Sequence, residues 1–323
     1  MKVLVTGYAG FIGWWVTTLL LARGDSVVGL DNFNDAYDGR MKQWRHTQVA
    51  GHQGFSPYSA DLEDAGKMSE VFQVAGPFDA VINLAARAGV PQSQRDPVEY
   101  YRSNLMGVVQ LLELCKAHGV NKVVQASTSS VYGNGDLPLR EDAFTDRPLS
   151  PYAASKKAAE LLCYTYFHLY GISTTVLRFF TVYGPAGRPD MSIFRFIRWT
   201  AEGEPLVLYG DGTQQRDFTY AEDTARAVIA ALDIGGYEVI NVGNDRPVEL
   251  RYVISEIEKA TGRSAKVDYQ PFQPTDVRAT HASIDKARSL LGWQPETPIE
   301  QGVAKTAAWY MEHRDWASTL RLG

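Results

Sequence analysis

Cysteine and clustered histidine are scarce in this sequence, which has two cysteines and six histidines in 323 residues. Cys115 and Cys163 each lie in an apolar helical pattern and form no CxxC pair, so we expect free buried thiols and not a disulfide or a metal site. The histidines do not show metal-ligand spacing either. We therefore expect chemistry that needs no metal ion.

A long apolar run and an excess of basic residues are also missing. No stretch approaches the roughly eighteen apolar residues of a membrane-spanning helix, and the opening "MKVLVTG" has the pattern of a β-strand, not that of a signal peptide. The net charge of −5 and the pI of 5.7 argue against a broad surface for nucleic acid or anionic membrane, although a local arginine cluster still suits an anionic ligand. We expect a cytoplasmic protein with a small-molecule substrate.

Short β-branched runs alternate with segments of helical length through the first half of the chain. This rhythm is typical of βαβ units, and it predicts a Rossmann-type doubly wound parallel sheet. After Thr181 the pattern loosens into loops, short strands and separate helices such as Ile254–Thr261, which indicates a smaller C-terminal α/β lobe. We expect a first domain over residues 1–180 and a second domain over 181–323, with segments near 216–245 returning to the first. The predicted strands of the first part are "KVLVT", "DSVVGLD", "AVINLA", "KVVQAS" and "STTVLRFF".

The first chemical motif is "GYAGFIG", in which Gly7, Gly10 and Gly13 stand between a predicted strand and a predicted helix. In that setting glycines let the backbone approach a pyrophosphate at a helix N-terminus. Asp31 ends the next strand, close to the ~20 residues expected for a carboxylate that accepts ribose hydroxyls. Asp31 favours NAD over NADP, because it repels a 2′-phosphate and "NFND" after it offers no Arg or Lys. The alternative is a glycine turn followed by a surface aspartate.

The second motif is "PYAASKKAAE", where Tyr152 and Lys156 stand four residues apart at a predicted helix start and face the same way. A tyrosine that acts as a base near neutrality needs its phenolate stabilised by ~4 kcal/mol, or about three pK units. A neighbouring ammonium and the positive nicotinamide ring of bound NAD both favour the ionised form. A packed tyrosine and a solvated lysine are the alternative interpretation of this spacing.

Taken in order, several motifs resemble those of the extended short-chain dehydrogenase/reductases that act on nucleotide sugars. They are the glycine motif, "LAARAG", Asn104 in "SNLMG", "STSSVYG", the Tyr-Lys pair and "RDFTY". Within that superfamily, "DNFNDAYD" and "RFFTVYGPAGRPDM" are similar to segments of the UDP-glucuronate 4-epimerases. The resemblance covers essentially the whole chain and implies an NAD-binding domain over residues 1–180 and a nucleotide-sugar-binding domain over 181–323.

The resemblance implies an NAD-dependent isomerase that oxidises carbon 4 of a UDP-sugar to a ketone, lets the ring turn over and reduces it again. UDP-glucuronate and UDP-galacturonate are the expected pair, and a homodimer is implied. The implied catalytic residues are Thr128, Tyr152 and Lys156. The implied cofactor contacts are Gly7, Gly10, Phe11, Ile12, Gly13, Asp31, Asn32, Asn34, Asp61, Leu62, Leu84, Ala85, Ala86, Asn104, Tyr152 and Lys156. The implied substrate contacts are Thr128, Ser129, Ser130, Thr181, Arg188, Arg216 and Arg278, with the arginines at the diphosphate because their planar fork suits phosphate oxygens.

One departure from the family pattern concerns the acid group of the sugar. Relatives often read "AGVRxS" where this chain has "AGVPQS", so Pro91 replaces an arginine near the substrate's carboxylate end. We expect Ser129, Ser130 and Thr181 to hold the carboxylate instead. Such hydroxyls also serve local turns and helix caps, so a purely structural cluster is the alternative.

Other activities on the same fold stay open as alternatives. A UDP-galactose or UDP-glucose 4-epimerase, or another nucleotide-sugar epimerase, fits the shared motifs. Dehydratases and decarboxylases typically carry acids after the catalytic threonine ("TDEVYG", "TSEVYG"), and a dehydratase needs an acid–base pair there, whereas this chain has Ser129 and Ser130. A non-catalytic NAD-sensing protein usually lacks the Tyr or the Lys, and both are present.

Overall fold

The computed structural model describes residues 1–272 and 277–323. Its strands are β1 (Lys2–Thr6), β2 (Ser26–Asp31), β3 (Phe55–Ser59), β4 (Ala80–Asn83), β5 (Lys122–Thr128), β6 (Ser173–Phe179), β7 (Thr181–Tyr183), β8 (Pro205–Tyr209), β9 (Gln215–Arg216), β10 (Phe218–Tyr220), β11 (Tyr237–Val242), β12 (Val248–Glu249) and β13 (Lys266–Gln270).

The helices alternate with these strands through the first half of the chain. They are α1 (Phe11–Arg23), α2 (Arg40–Val49), α3 (Ala65–Ala75), α4 (Val90–Arg95), α5 (Pro97–Tyr101), α6 (Gly107–Ala117), α7 (Pro151–Tyr170), α8 (Ser192–Glu202), α9 (Ala221–Ala230), α10 (Leu250–Thr261), α11 (Asp285–Leu291), α12 (Ile299–Glu312) and α13 (Arg314–Ala317). A π-helical turn spans Arg102–Met106, and 3₁₀ turns span Ser129–Tyr132 and Ala231–Asp233. Among the described residues, none of the helices has the length and apolar content needed to span a membrane.

The central sheet has seven parallel strands in the order β11-β6-β5-β4-β1-β2-β3. The strand order reverses between β1 and β4, where Thr6 is in register with both Leu30 of β2 and Asn83 of β4. In an open α/β sheet the crevice outside the carboxyl ends of the strands at this reversal is where ligands bind. The predicted doubly wound Rossmann-type sheet is confirmed.

Apolar cores cover both faces of this sheet. One core includes Val16 and Leu20 of α1 with Val228 of α9, and the other includes Leu111 of α6 and Val71 of α3. Cys115 and Cys163 lie in the second core and both thiols are free and fully buried, as the sequence predicts.

The second lobe is built from short strand pairs and three packed helices. β8 pairs with β13 and β7 with β10, both in parallel, while β9 pairs antiparallel with β12. Helices α8, α10 and α12 surround a core that includes Phe194, Ile257 and Tyr310. The chain returns to the first lobe in between, because α9 packs on α1 and β11 extends the large sheet beside β6.

An aromatic cluster joins the two lobes. The Trp44 ring of α2 lies in edge contact with Trp14 of α1, at 5.6 Å between centroids, and with Trp309 and Trp316 of the C-terminal helices, at 5.3 and 6.3 Å. Nearby, Arg40 donates hydrogen bonds to the backbone and side chain of Thr319. These contacts fix α2 and the loop before it against the C-terminal segment.

Candidate active site

A cavity of about 540 Å³ opens between the lobes at the carboxyl ends of β1, β4 and β5. It brings together residues that are far apart in the sequence, among them most of the residues predicted to form the site. The predicted residues that line it are Gly7, Gly10, Phe11, Ile12, Gly13, Asp31, Asn32, Asn34, Asp61, Leu62, Leu84, Ala85, Ala86, Thr128, Ser129, Ser130, Tyr152, Lys156, Thr181 and Arg188. Their individual roles stay predictions.

The glycine loop has the shape that a dinucleotide phosphate requires. Gly7 has a φ of +71°, and a Cβ there would lie 2.7 Å from the backbone nitrogen of Ala85. Helix α1 begins at Phe11, directly after the loop, and its first residues line the cavity, so the free N–H groups of its first turn lie at the cavity wall. A side chain at Gly7 would collide with the backbone after β4, so this close turn needs glycine. The helix N-terminus that the turn presents to the cavity fits the pyrophosphate of a dinucleotide.

Asp31 has a partner that the sequence reasoning missed. Lys42, on α2, donates from Nζ to Asp31 Oδ1 at 3.0 Å and to Asn34 Oδ1 at 3.1 Å, and all three residues line the cavity. The sequence argument considers only the residues directly after Asp31, whereas α2 brings Lys42 back to the end of β2. Asp31 Oδ1 also accepts from the Phe33 backbone at 2.8 Å, whereas Oδ2 has no partner among the described residues.

Tyr152 and Lys156 share one face of α7, whose first turn is capped by Ser150 through a 3.1 Å hydrogen bond from the Ala153 backbone. Burial lowers the pKa of Lys156 to about 8, and Lys156 is only 2% exposed. Burial raises the pKa of Tyr152, while a hydrogen bond with Thr128 and the positive charge of Arg188 lower it. The raised pKa means that the phenol of Tyr152 is protonated at neutral pH in the structure as described.

The hydroxyl cluster after β5 combines structural and unengaged groups. Thr128 accepts from the Ser130 backbone at 3.1 Å and so caps the following 3₁₀ turn, and Ser127 donates to buried Glu160 at 2.6 Å. By contrast, the hydroxyls of Ser129 and Thr181 line the cavity and make no hydrogen bond to any residue in 1–272 or 277–323. The local-turn interpretation thus accounts for part of the cluster only.

Asn104, which the resemblance implies as the structural asparagine of its helix and as a cofactor contact, does not line the cavity. The π-helical turn directs its side chain inward, where Nδ2 donates to the Arg87 carbonyl at 2.9 Å and to Ser155 Oγ at 3.0 Å, and Oδ1 accepts from the Arg87 backbone at 2.8 Å. Its observed contacts tie the strand-end loop of β4 to the helix that carries Tyr152 and Lys156.

The predicted diphosphate arginines fall into two places. Arg216 lies in β9 and its Nη1 approaches the Arg278 carbonyl at 3.5 Å, so these two are neighbours, but neither lines the cavity. Arg188 does line it, where it forms a two-point ion pair with Asp190 at 2.6 and 3.0 Å and lies close enough to Tyr152 to lower the pKa of that phenol. The structure does not bring Arg188 together with the other two.

Arg195 is a lining residue that sequence reasoning missed. Its guanidinium lies 4.6 Å from the centre of the Trp199 ring, and its Nε is buried without a hydrogen-bond partner in the described part of the chain. Burial lowers its pKa from the usual arginine value. A buried donor without a partner at a cavity wall suits an anionic ligand. The segment "SIFRFIRWTAE" gives no signal beyond an amphipathic helix.

The chain is similar in sequence and in structure to several proteins of known activity. Residues 3–243 match the model of the NAD-dependent epimerase/dehydratase family. The chain is 49% identical to the UDP-glucuronate 4-epimerase of Thermodesulfobacterium geofontis, over 99% of both chains. It superposes with a TM-score of 0.91 on the UDP-glucuronic acid 4-epimerase of Bacillus cereus, solved with UDP-glucuronic acid and NAD, at 36% identity over 97% of this chain and 100% of that one. A UDP-glucose 4-epimerase of Thermotoga maritima, solved with UDP-glucose, superposes with a TM-score of 0.87 at 29% identity over 97% and 100%.

Proposed function

The chain belongs to the NAD-dependent epimerase/dehydratase family, and on that premise we propose that it interconverts UDP-glucuronate and UDP-galacturonate by inverting carbon 4 of the sugar. The observation that carries the proposal is the meeting of Thr128, Tyr152 and Lys156 with a dinucleotide cradle in one cavity, beside the unengaged hydroxyls of Ser129 and Thr181.

The enzyme is an NAD-dependent UDP-sugar 4-epimerase, and NAD supplies the oxidising and reducing equivalents at carbon 4 when bound. The glycine loop and the N-terminus of α1 would hold the pyrophosphate, and Asp31 would accept the ribose hydroxyls through Oδ2, its oxygen without a partner in the described chain. Since the oxidation is reversed within one turnover, the same cofactor serves both halves and needs to stay bound.

Proton transfer would involve Thr128 at the end of β5 and Tyr152 at the start of α7. Tyr152 would take the proton of the 4-hydroxyl as that carbon becomes a ketone, and return it on re-reduction. Thr128 shares a hydrogen bond with the phenol and so favours its ionised form. The Lys156 ammonium adds positive charge on the same helix face.

The sugar carboxylate needs a firm hold for a chemical reason. Oxidation at carbon 4 of a glucuronate makes a β-keto acid, which loses carbon dioxide once the bond to the carboxylate stands perpendicular to the ketone plane. We propose that the hydroxyls of Ser129, Ser130 and Thr181 hold the carboxylate away from that orientation. Pro91 also lines the cavity, so the arginine of relatives is missing from a cavity-lining position, and the hydroxyls take its place.

The UDP half would lie toward the second lobe. Arg195 lines the cavity there, and its buried Nε has no partner in the described chain, so we propose it as a diphosphate contact. Arg216 and Arg278 do not line the cavity and stay predicted contacts of the same group. Because Arg188 is engaged by Asp190 next to Tyr152, we assign it to the sugar end of the cavity instead.

The test incubates the purified protein separately with UDP-glucuronate and with UDP-glucose, and separates the sugar products after acid hydrolysis. We expect galacturonate from the first and no galactose from the second. Galactose alone would identify a neutral-sugar epimerase, the alternative that Pro91 favours. A pentose product would indicate decarboxylation, and no product with either substrate would contradict the proposal.

We also propose a cytoplasmic homodimer. The apolar residues of "LLELC" in α6 are not available for a partner, because Leu111, Leu112 and Cys115 are buried in the chain's own core. Large apolar side chains are instead exposed around the neighbouring helices, namely Val98, Tyr101, Met106, Leu161 and Tyr164. A second copy would cover this surface. Sedimentation velocity should give twice the mass of the chain, and Leu161→Asp with Met106→Asp should give the monomer.

A further inference from the structure

Arg45 of α2 is a fully buried cation, with a side chain that is 0% exposed. Its guanidinium forms no ion pair with any carboxylate in the described residues. Burying a charge in this way is costly unless hydrogen bonds satisfy its donors. The identity of those hydrogen-bond acceptors therefore indicates what the residue does.

The acceptors belong to three loops that meet at the cavity. Nη1 donates to the Ala9 carbonyl in the glycine loop at 3.1 Å and to the Tyr37 hydroxyl, between β2 and α2, at 2.7 Å. Nε and Nη2 both donate to the Ala186 carbonyl, in the loop after β7, at 3.0 and 2.8 Å. One planar fork thus ties the cofactor side of the cavity to the substrate side.

The Ala186 end of this fork bears on the sugar site. Ala186 has a φ of +54°, a conformation that costs a non-glycine residue energy and persists only where its surroundings hold it. Arg188 follows two residues later. The Tyr37 ring is in contact with both arginines, with guanidinium carbons 5.5 Å from its centre for Arg45 and 5.0 Å for Arg188. A shift of the Ala186 carbonyl would therefore move Arg188 and the Tyr37 ring together.

We propose that Arg45 is a positioning residue that couples the cofactor site to the nucleotide-sugar site, so that occupation of either site tightens the other. The inference rests on the proposed function, since it takes the two halves of the cavity to hold NAD and a UDP-sugar. With the fork in place, ordering of the glycine loop by NAD also orders the loop that carries Arg188. Linkage makes the effect reciprocal, so UDP should slow the release of NAD.

The experiment measures NAD release directly and needs no turnover. Protein loaded with etheno-NAD is mixed with excess NAD, and the fluorescence change gives the release rate with and without saturating UDP. In the wild type we expect UDP to slow release about fivefold or more, within the usual range of coupling between sites. In Arg45→Gln and Arg45→Lys we expect less than a twofold effect of UDP, because Lys keeps the charge but lacks the fork. Release without UDP should be about 10-fold faster than in the wild type.

Met41→Ala is the matched control for loss of stability, because Met41 is fully buried on the same helix and does not line the cavity. It should lower the melting temperature and keep the fivefold effect of UDP. If the Arg45 variants kept that effect and lost only stability, the coupling role would be overturned. If the Arg45 variants do not fold, Tyr37→Phe replaces them, because it removes one hydrogen-bond acceptor of Arg45. This variant should weaken the effect of UDP, and an unchanged effect would overturn the coupling role.

Binding of NAD and UDP to the wild type distinguishes a failure of this inference from a failure of the proposed function. A wild-type protein that binds NAD but not UDP would contradict the proposed function. One that binds both without any mutual effect would overturn the coupling by Arg45 and leave the epimerase assignment standing.

Discussion

Lys42 Nζ donates a hydrogen bond to Asp31 Oδ1 at 3.0 Å, and both side chains are buried at the wall of the cavity. The carboxylate neutralises the ammonium that would otherwise be available to a 2′-phosphate. We therefore expect discrimination between NAD and NADP to depend on the pair, not on the aspartate alone.

This pair predicts how cofactor preference changes on mutation. The wild type should release NAD on denaturation and need none added. Asp31→Asn frees the charge of Lys42 for a 2′-phosphate, so the ratio of NADP to NAD affinity should rise about 10- to 100-fold, as for one hydrogen bond to a charged group. Calorimetric titration of both cofactors measures it. Asp38→Asn, on the same loop but outside the cavity lining, should leave the ratio unchanged. Recovery of NADP from the wild type would show that Asp31 does not set the preference.

Tyr152→Phe should reduce epimerisation by ~10²–10⁴-fold, as for the loss of a general base. The variant loses one oxygen and should keep the wild-type circular dichroism spectrum and NAD content. Tyr101→Phe, on the exposed surface of α5, serves as the control and should be fully active. Turnover above about a tenth of the wild-type rate in Tyr152→Phe would show that the phenol is not the base.

Thr128 should set the pH at which the enzyme becomes active. Its hydrogen bond lowers the pKa of Tyr152, which burial raises, so removing the hydroxyl leaves the phenol harder to ionise. The acidic limb of kcat/KM for Thr128→Val should therefore move to higher pH, while Thr128→Ser keeps the hydroxyl and should stay near the wild-type profile. A limb that moved to lower pH, or did not move, would rule out this role.

Removing a carboxylate donor should let the keto intermediate decarboxylate. Ser129→Ala and Thr181→Ala each remove a hydrogen bond to a charged group, so the leak of carbon dioxide per turnover should rise roughly 10- to 100-fold. Counting radioactive gas from carboxyl-labelled UDP-glucuronate measures it, and Thr181→Ser is the matched control. Normal epimerisation without added release in both alanine variants would reduce the cluster to a structural turn.

Lys156 should cost the NAD-free protein stability at neutral pH. Burial lowers its pKa to about 8 from 10.5, so the destabilisation is absent above pH 10.5, grows as the pH falls and is complete below pH 8. Lys156→Met should then be more stable than the wild type at pH 7, by at most ~3 kcal/mol. Urea unfolding should show that advantage shrinking toward pH 10. An advantage that is equal at pH 7 and pH 10 would mean that the amine is not titrating in this range.

The parts of the fold and of the site that could be predicted from the sequence are those that depend on local patterns. Gly7, Gly10 and Gly13 lie within one turn, and the Tyr152–Lys156 spacing is a property of one helix, so periodicity and motif are enough to recognise both. β3 went unrecognised because "FSPYS" contains Pro57 and lacks apolar alternation. It forms at the edge of the sheet, where a strand tolerates a proline.

The rest depended on contacts between distant segments. Lys42 reaches Asp31 only because α2 packs back over the end of β2, and no spacing rule connects them. Asn104 was assigned to the cofactor, but a π-helical turn aims it at the Arg87 backbone, and a sequence pattern does not distinguish that turn from regular helix. Arg195 is identified as a site residue only by its place in the folded chain, where its buried Nε has no partner in the described residues.

The aromatic cluster around Trp44 gives the enzyme a built-in optical reporter. Trp14, Trp309 and Trp316 lie 5.3 to 6.3 Å from it, close enough for their excited states to couple, and they come from both lobes. The near-ultraviolet circular dichroism should therefore contain an exciton band from Trp44 with Trp309 and Trp316 that exists only while the lobes are docked. The coupling of Trp44 with Trp14 lies within the first lobe and should persist when the lobes part. Following that band during NAD loading would show, without any label, whether the cofactor enters a closed molecule or one whose lobes have parted.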